Sequence, residues 1–386
     1  MIQTSKSRNT SPFLAALLLI LGTSLSLGDA HAKEPQKPPK IVKSKARKLT
    51  SSIIVGENQH FEKWKDVQEF KLYMQSQYQF PAEEFERIMR DARFVDSAIQ
   101  AVKPMPPGKP KNWRVYRSRF VETARVEAGL IFWNRNEAVL KKAEQEYGVP
   151  AEIIVGLIGV ETIYGKNLGR YRAIDAITSL AFSYPETANR EARTNFFRNE
   201  LAQLLMWSRE KKIDIFSIKS SYAGAIGLCQ FMPSSLRDFA VDFDRDGKTE
   251  LRDSEADAIG SVANYLLTHG WKKTLPYVFP ASLHILESAT ENKSEVTTAR
   301  LKNVLERGLK ASLRLEELQD FITTPSADAP KDILYGVIDL QNGDEPTEYW
   351  LATENFYAIT QYNRSYFYAM SVIDLAQAIS NARTKD

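Results

Sequence analysis

The chain has 386 residues, 43% of them hydrophobic and 26% charged, which is enough for two or three lobes around a hydrophobic core. Its single cysteine, Cys229, excludes an internal disulfide and a cysteine-based metal cage, and its four histidines argue against a histidine-rich metal centre. Seven Lys or Arg and one Glu lie in residues 33–50, and the chain after residue 50 is net acidic, which argues against a nucleic-acid partner.

The first 32 residues have the pattern of a signal peptide. Lys6 and Arg8 precede an apolar run from Phe13 to Leu21, and Ala30-His31-Ala32 is typical of a cleavage site. The run is shorter than the ~20 residues of a membrane span, although an uncleaved anchor is the alternative. No cysteine follows it to take a lipid anchor. We therefore expect an exported, periplasmic protein.

Residues 33–55 are predicted to form a basic flexible linker, because they contain too few apolar residues to fold. Residues 33–50 could make a weak contact with a membrane or an anionic wall polymer. A plain linker without such a contact is the alternative.

The folded part is predicted to be mainly helical. Residues 61–102 are helix-rich, prolines between 104 and 110 interrupt the chain, and a helix runs from Phe132 to Tyr147. The next helix, residues 151–162, is apolar all round and is therefore predicted to be buried. Further helices are predicted at 172–183, 196–212, 233–243, 254–269 and 366–379.

A small β element is predicted near the C-terminus. Residues 280–330 are more polar, with an amphipathic stretch at 299–321. Ile333–Leu340 and Tyr349–Leu351 flank an Asn342-Gly343 turn, which is typical of a β-hairpin.

Glu161 is the most informative single residue. It follows a long uncharged run at the end of the buried helix, where loss of solvation favours the neutral carboxylic acid and raises its pKa. A protonated carboxylic acid near neutral pH suits general-acid chemistry on a glycosidic oxygen. The alternative is a glutamate at a helix end that simply reaches water.

An acidic loop indicates a metal site. Asp242, Asp244 and Asp246 stand at positions 1, 3 and 5, with Gly247 at position 6, as in a calcium loop between two helices. Position 12 is Asp253, whose side chain is shorter than the usual Glu, so Asp257 could close the site instead. A solvated acidic turn is the alternative.

Two uncharged or aromatic segments are candidate binding elements. Ser221–Pro233 is rich in small residues, which allow a partner to approach the backbone closely, although helix packing would explain its glycines equally well. Tyr357–Tyr368 combines aromatic rings with amide and hydroxyl groups that suit sugars, although core packing is the alternative.

Four segments resemble the lytic murein transglycosylase B family in order and spacing. They are Val149–Gly165, Ser221–Ser235, Asp257–Trp271 and Glu348–Val372, and the similarity extends over roughly residues 60 to 380. The resemblance implies a mainly α (α+β) fold with a lysozyme-like core. It implies a helical lobe in 56–150, a catalytic core with an EF-hand-like loop in 151–275, an accessory lobe in 276–350 and a returning C-terminal helix in 351–386.

The resemblance also implies the reaction. Such enzymes cleave the β-1,4 bond between N-acetylmuramic acid and N-acetylglucosamine in peptidoglycan without water, because the muramyl C6 hydroxyl attacks its own anomeric carbon. Glu161 matches the single acid/base of the family. A lysozyme-type hydrolase and a non-catalytic, calcium-stabilised wall-binding protein are the alternatives. We expect a monomer whose partner is the glycan strand.

The remaining site residues are implied by the same resemblance. Predicted substrate contacts are Tyr116, Arg193, Ser221, Gln230, Phe231, Tyr265, Tyr362, Asn363 and Tyr368. Predicted ligands of a structural Ca²⁺ are Asp242, Asp244, Asp246, Lys248 and Asp257. The chain departs from the family after Tyr184-Pro185, where the family often has a pair of arginines and this chain has an apparent insertion in residues 186–193. Arg193 is the better match by its distance to Phe197, and Arg190 is the alternative. A second departure is Cys229, where Gly or Met is commoner.

Overall fold

The computed structural model describes residues 60–104, 110–283, 299–319, 321–324 and 329–384. Compact packing divides them into two units, residues 60–94 and residues 95–384. The predicted signal peptide and the predicted linker over 33–55 lie outside the described residues. Among the helices that are described, none is both long enough and apolar enough to cross a lipid bilayer.

The smaller unit is helical, as predicted. A 3₁₀ turn at Phe61–Lys63 precedes α1 (Lys65–Tyr78) and α2 (Ala82–Asp91). Each helix turns one apolar face inward, at the three- and four-residue spacing of a helix. The buried residues are Phe61, Val67, Phe70, Met74, Phe85, Ile88 and Met89.

The larger unit contains helices and two small sheets. Its helices are α3 (Asp96–Ala101), α4 (Trp113–Arg117), α5 (Thr123–Arg135), α6 (Glu137–Tyr147), α7 (Ala151–Thr162), α8 (Ala173–Ser183), α9 (Arg190–Glu210), α10 (Pro233–Phe239), α11 (Glu255–Thr268), α12 (Leu315–Leu318), α13 (Glu354–Tyr362) and α14 (Tyr366–Arg383). Residues 299–305 are also helical. Its strands are β1 (Tyr171–Arg172), β2 (Lys219–Ser220), β3 (Val278–Leu283), β4 (Ile322–Thr323), β5 (Gly336–Asn342) and β6 (Glu345–Ala352).

Helix α7 lies at the centre of this unit, as its apolar sequence predicts. Helices α5, α6, α11 and α14 pack around it. A Cβ atom on Gly156 would lie 2.7 Å from the carbonyl oxygen of Val372, so glycine lets α7 and α14 approach closely. The helix that carries Glu161 is therefore fixed on several sides.

Several predicted helix boundaries are wrong. The helix predicted at 196–212 begins six residues earlier, at Arg190, and the one predicted at 366–379 ends four residues later, at Arg383. Two further errors have local reasons. The helix predicted from Phe132 to Tyr147 is two helices that meet at Asn136, whose side-chain amide donates to the carbonyl oxygen of Phe132 at 3.0 Å. The helix predicted at 233–243 ends at Phe239, because Asn264 donates to the Phe239 carbonyl oxygen at 2.9 Å. That bond satisfies a terminal carbonyl without a further helical turn.

The small lobe is a four-stranded antiparallel sheet in the order β4-β3-β6-β5, which packs on a core that includes Phe279, Val337 and Leu351. The predicted β-hairpin is β5 and β6, but the residues between the strands are Gly343, with φ of 66°, and Asp344. The predicted Asn342-Gly343 turn therefore begins one residue too early. Asn342 is instead a buried strand residue whose side-chain oxygen accepts from the Arg114 amide at 3.0 Å.

Candidate active site

Glu161 lies in the last turn of α7 and is only 6% exposed. It does not extend into water, which excludes the alternative of a solvated glutamate at a helix end. The helix ends one residue later, at Thr162, because Ile163 and Tyr164 both adopt left-handed backbone conformations with φ of 52° and 53°. Such conformations are uncommon for residues other than glycine and sharply redirect the chain.

Burial changes the chemistry of this carboxyl group. Desolvation raises the pKa of Glu161 to about 7, and the hydrogen bond that it accepts from the Tyr368 hydroxyl opposes this rise. A substantial fraction of Glu161 is therefore protonated at neutral pH. The group can donate a proton there and can take one back, which is what general acid/base catalysis requires.

Tyrosines from four helices surround the carboxyl group. They are Tyr116 of α4, Tyr265 of α11, Tyr362 of α13 and Tyr368 of α14. Burial raises the pKa of each phenol, to about 12 for Tyr116, and the nearby Glu161 charge raises all four further. The phenols therefore stay neutral, and their hydroxyl groups can serve as hydrogen-bond donors beside Glu161.

Phe231 belongs to the same aromatic cluster. Its ring centroid lies 5.5 Å from that of Tyr265 and 5.6 Å from that of Tyr362, and the two tyrosine rings are 4.7 Å apart. The Tyr362 hydroxyl donates to the carbonyl oxygen of Cys229 at 2.8 Å. The predicted aromatic contacts are thus brought together around one carboxylic acid.

The segment Ser221–Pro233 forms the loop beside this cluster. A Cβ atom on Gly227, whose φ is 76°, would lie 2.4 Å from the carbonyl oxygen of Leu251, so this position requires glycine. The Ser221 hydroxyl accepts from the Ala225 amide at 3.1 Å. The Gln230 side chain donates to the Gly227 carbonyl oxygen at 2.9 Å. Both side chains therefore hold the loop in shape and remain partly exposed.

Arg193 lies in a second aromatic group. Its guanidinium is 5.1 to 5.7 Å from the ring centroids of Tyr184, Phe196 and Phe197, and its Nε donates to the Tyr184 hydroxyl at 3.3 Å. Arg190 instead pairs with Glu186 at 3.1 Å. Of the two candidate arginines, Arg193 is therefore the one among aromatic rings.

Asn363 follows α13 in an extended conformation and is partly exposed. Its carbonyl oxygen accepts from the Ser365 amide at 2.7 Å, which shapes the short link to α14. Tyr362 precedes it directly, so Asn363 continues the segment that contributes to the aromatic cluster.

Three carboxylates of the acidic loop converge. One ligand atom from each of Asp242, Asp244 and Asp257 lies within 4.8 Å of the other two. Asp257, only 1% exposed, accepts backbone N–H bonds from Phe243 and Glu250 at 2.8 Å. Carboxylate oxygens grouped in this way suit Ca²⁺, a hard cation.

The other two predicted ligands lie outside this group of three. The Asp246 carboxylate accepts from the Lys248 amide at 2.8 Å. The Asp246 amide in turn donates to Asp242 at 3.1 Å. Both residues thus shape the loop around the three converging carboxylates.

The sequence analysis missed Arg125. This residue of α5 is 7% exposed, and its Nη1 donates to the carbonyl oxygens of Gly159 and Val160 directly before Glu161. A signal was present, because Arg125 stands four and seven residues before Gly129 and Phe132 on the buried face of α5. A charged residue in an apolar stripe has a specific partner when it is buried.

With this geometry in place, comparisons identify the class of protein. A family model described as a transglycosylase SLT domain matches residues 61–377. The chain is 36% identical over 329 residues to membrane-bound lytic murein transglycosylase B of Escherichia coli strain K12, which covers 83% of this chain and 84% of that relative. The chain therefore belongs to the transglycosylase SLT domain family.

Solved structures agree. Soluble lytic transglycosylase SltB1 from Pseudomonas aeruginosa is 40% identical, with a TM-score of 0.72, over 83% of this chain and 99% of its own. Lytic transglycosylase Slt35 of Escherichia coli, in a complex with calcium, is 34% identical, with a TM-score of 0.69, over 83% and 94%. The resemblance and the predicted fold class, mainly α with a small β-containing lobe, are confirmed, and the chain is a lytic transglycosylase.

Proposed function

We propose that this lytic transglycosylase cleaves the β-1,4 bond between N-acetylmuramic acid and N-acetylglucosamine in peptidoglycan, with Glu161 as its only acid/base. The observation that carries the proposal is the burial of Glu161, which raises its pKa to about 7. The relatives described above are named as lytic murein transglycosylases, which supports the choice of polymer.

The proposed reaction has two proton transfers through one carboxyl group. Glu161 first gives its proton to the glycosidic oxygen, and the bond from that oxygen to the muramyl anomeric carbon breaks. The carboxylate then takes the proton of the muramyl C6 hydroxyl, and the C6 oxygen forms a bond to the same anomeric carbon. The products are an N-acetylglucosamine with a free hydroxyl and a 1,6-anhydromuramyl end, and no water is consumed.

The surroundings of Glu161 favour this scheme over a two-carboxylate hydrolase. A retaining glycosidase holds its two carboxyl groups about 5–5.5 Å apart, at which distance the charge of one raises the pKa of the other. The cause that raises the pKa of Glu161 is burial. Among the described residues, the groups whose pKa the Glu161 charge is seen to raise are Cys229 and four tyrosines.

An attacking hydroxyl inside the substrate makes a second carboxylate unnecessary. Well-oriented intramolecular reactions reach effective molarities of about 10⁵–10⁸ M, so a correctly held C6 hydroxyl outcompetes water. We propose that the predicted substrate contacts hold the muramyl ring in this orientation. Tyr116, Phe231, Tyr265, Tyr362 and Tyr368 supply faces and hydroxyls near Glu161, and Arg193, Ser221, Gln230 and Asn363 supply polar groups.

We further propose that Asp242, Asp244 and Asp257 hold a structural Ca²⁺, with Asp246 and Lys248 as its further predicted ligands. The support is the convergence of three carboxylates and the calcium complex of Slt35. Asp257 is proposed over Asp253 to close the site, because it belongs to the converging group. We also propose that residues 1–32 are a signal peptide that directs export of the enzyme to the periplasm.

The test is a digestion of purified peptidoglycan by the enzyme and two variants. The Glu161→Gln variant removes the proton, whereas Glu152→Gln removes a carboxyl group at the other end of the same helix, where it bonds to Tyr277 at 3.2 Å. We expect Glu161→Gln to release no muropeptides and Glu152→Gln to stay active.

Mass spectrometry distinguishes the alternatives. Anhydro ends, lighter than reducing ends by one water, support the transglycosylase, and reducing ends would support a hydrolase. Unchanged release by Glu161→Gln would reject the assignment of the acid. Absence of any release by the unaltered protein, with wall binding intact, would favour the non-catalytic binding protein.

A further inference from the structure

Arg125 of α5 contacts the last turn of α7, which carries Glu161. Its Nη1 lies 3.1 Å from the Gly159 carbonyl oxygen and 3.5 Å from that of Val160. The last carbonyl groups of a helix have incomplete intrahelical bonding and carry partial negative charge. A guanidinium at this place therefore neutralises and fixes the backbone immediately before the acid.

The burial of Arg125 is not explained by stability alone. Its Nε is buried without a hydrogen-bond partner in the described part of the chain, and its ion pair with Glu122 is 3.6 Å long. An incompletely paired buried charge destabilises a fold, and an apolar residue would fit the stripe on α5 at lower cost. What Arg125 adds is a cationic donor to the end of α7.

Tyr164 contacts the same turn at the same interface between α5 and α7. After the left-handed residues the chain folds back, and the Tyr164 hydroxyl lies against two glycines. A Cβ atom would come within 2.3 Å of this oxygen from Gly159 and within 2.6 Å from Gly129. The ring lies 5.1 Å from that of Phe132. The hydroxyl has no hydrogen-bond partner among the described residues, so its role is to fill space between α5 and α7.

We propose that Arg125 and Tyr164 are positioning residues that hold the last turn of α7 against α5 and thereby fix the Glu161 carboxyl group beside Tyr368. This inference rests on the proposed role of Glu161. Neither residue touches the reacting atoms; both act through the backbone that carries the acid. A displacement of about 1 Å in a catalytic group can lower the rate by about 10²-fold, so loss of these two contacts should lower kcat.

The experiment measures kcat, KM and the pH profile of release from soluble glycan strands. Arg125→Met removes the cation and keeps an unbranched, somewhat shorter side chain, and Arg125→Lys keeps a cation. Tyr164→Leu loosens the turn without a change of charge. It tests the same positioning role if Arg125→Met does not fold. Leu140→Ala, which truncates a fully buried residue of α6, is the control for general destabilisation.

We expect Arg125→Met and Tyr164→Leu to lower kcat by about 10- to 100-fold with KM nearly unchanged, because the acid is displaced rather than the sugar contacts. The loosened turn also admits water, which lowers the pKa of Glu161. Since the acid must be protonated, the loss of activity on the basic side then begins at lower pH. Arg125→Lys should recover part of kcat, and Leu140→Ala should lower the melting temperature without moving the pH profile.

The inference is overturned if Arg125→Met and Tyr164→Leu match Leu140→Ala in kcat and in pH profile while Glu161→Gln is inactive. Activity retained by Glu161→Gln would instead refute the proposed function on which the inference rests. The two failures are therefore distinguished by the same set of variants.

Discussion

Glu161→Gln should stabilise the protein at neutral and alkaline pH. Burial raises the pKa of Glu161 from its ordinary 4.5 to about 7. The folded state therefore keeps a proton that the unfolded chain has already lost between these two pH values. Stability falls as pH rises through this interval, because unfolding releases the proton. A difference of about 2.5 in pKa corresponds to about 3 kcal/mol of free energy of unfolding.

The amide that this substitution introduces stays neutral at every pH. The variant would therefore not lose stability at high pH, and its amide could still accept a hydrogen bond from Tyr368. Thermal unfolding followed by circular dichroism between pH 4.5 and 8 measures the effect. We expect equal melting temperatures at pH 4.5 and a variant that melts about 5 °C higher at pH 8. Glu137→Gln, which removes an exposed carboxyl group paired with Arg383, is the control and should lack this divergence. Parallel curves for Glu161→Gln and the unaltered protein would refute the reasoning.

Other predictions concern the same site and the acidic loop. Tyr368→Phe removes a bond that favours the charged form of Glu161, so the basic limb of the kcat profile should move up by about one pH unit; a downward shift would contradict this. Chelation should lower the melting temperature, with recovery on addition of Ca²⁺ more than Mg²⁺, and no change would remove the calcium proposal. Burial raises the pKa of the Cys229 thiol, so a thiol reagent at pH 8 should modify it only after unfolding, and rapid modification of the native protein would show that the burial is wrong.

The helices could be predicted wherever local apolar spacing determines them. Helix α7 is apolar all round, and α11 has a clean apolar stripe, so both were predicted to within a residue or two. Strand β3 was missed because it contains Pro280 in a segment of mixed polarity. Its pairing with β6 depends on partners some 70 residues away, and no local pattern records that distance.

The site could be predicted only in part from the residues themselves. Glu161 was found from its place in an uncharged run, but its partner Tyr368 is 207 residues away in the sequence. The tyrosine cluster came from the family resemblance, since core packing explains such a segment equally well. Arg125 could have been noticed as a charge in the apolar stripe of α5, but its role could not be predicted, because it donates to backbone carbonyl groups that no residue type records.

A backbone hydrogen bond joins the acidic loop to the Ser221–Pro233 loop beside Glu161. The Leu228 amide donates to the carbonyl oxygen of Leu251 at 2.7 Å, and Gly227 lies directly against the same oxygen. We therefore expect bound calcium to stabilise the Ser221–Pro233 loop. The rate of wall turnover would then depend on the calcium concentration around the enzyme. Hydrogen exchange at the Leu228 amide should quicken on chelation, and an unchanged rate would mean that the two regions are independent.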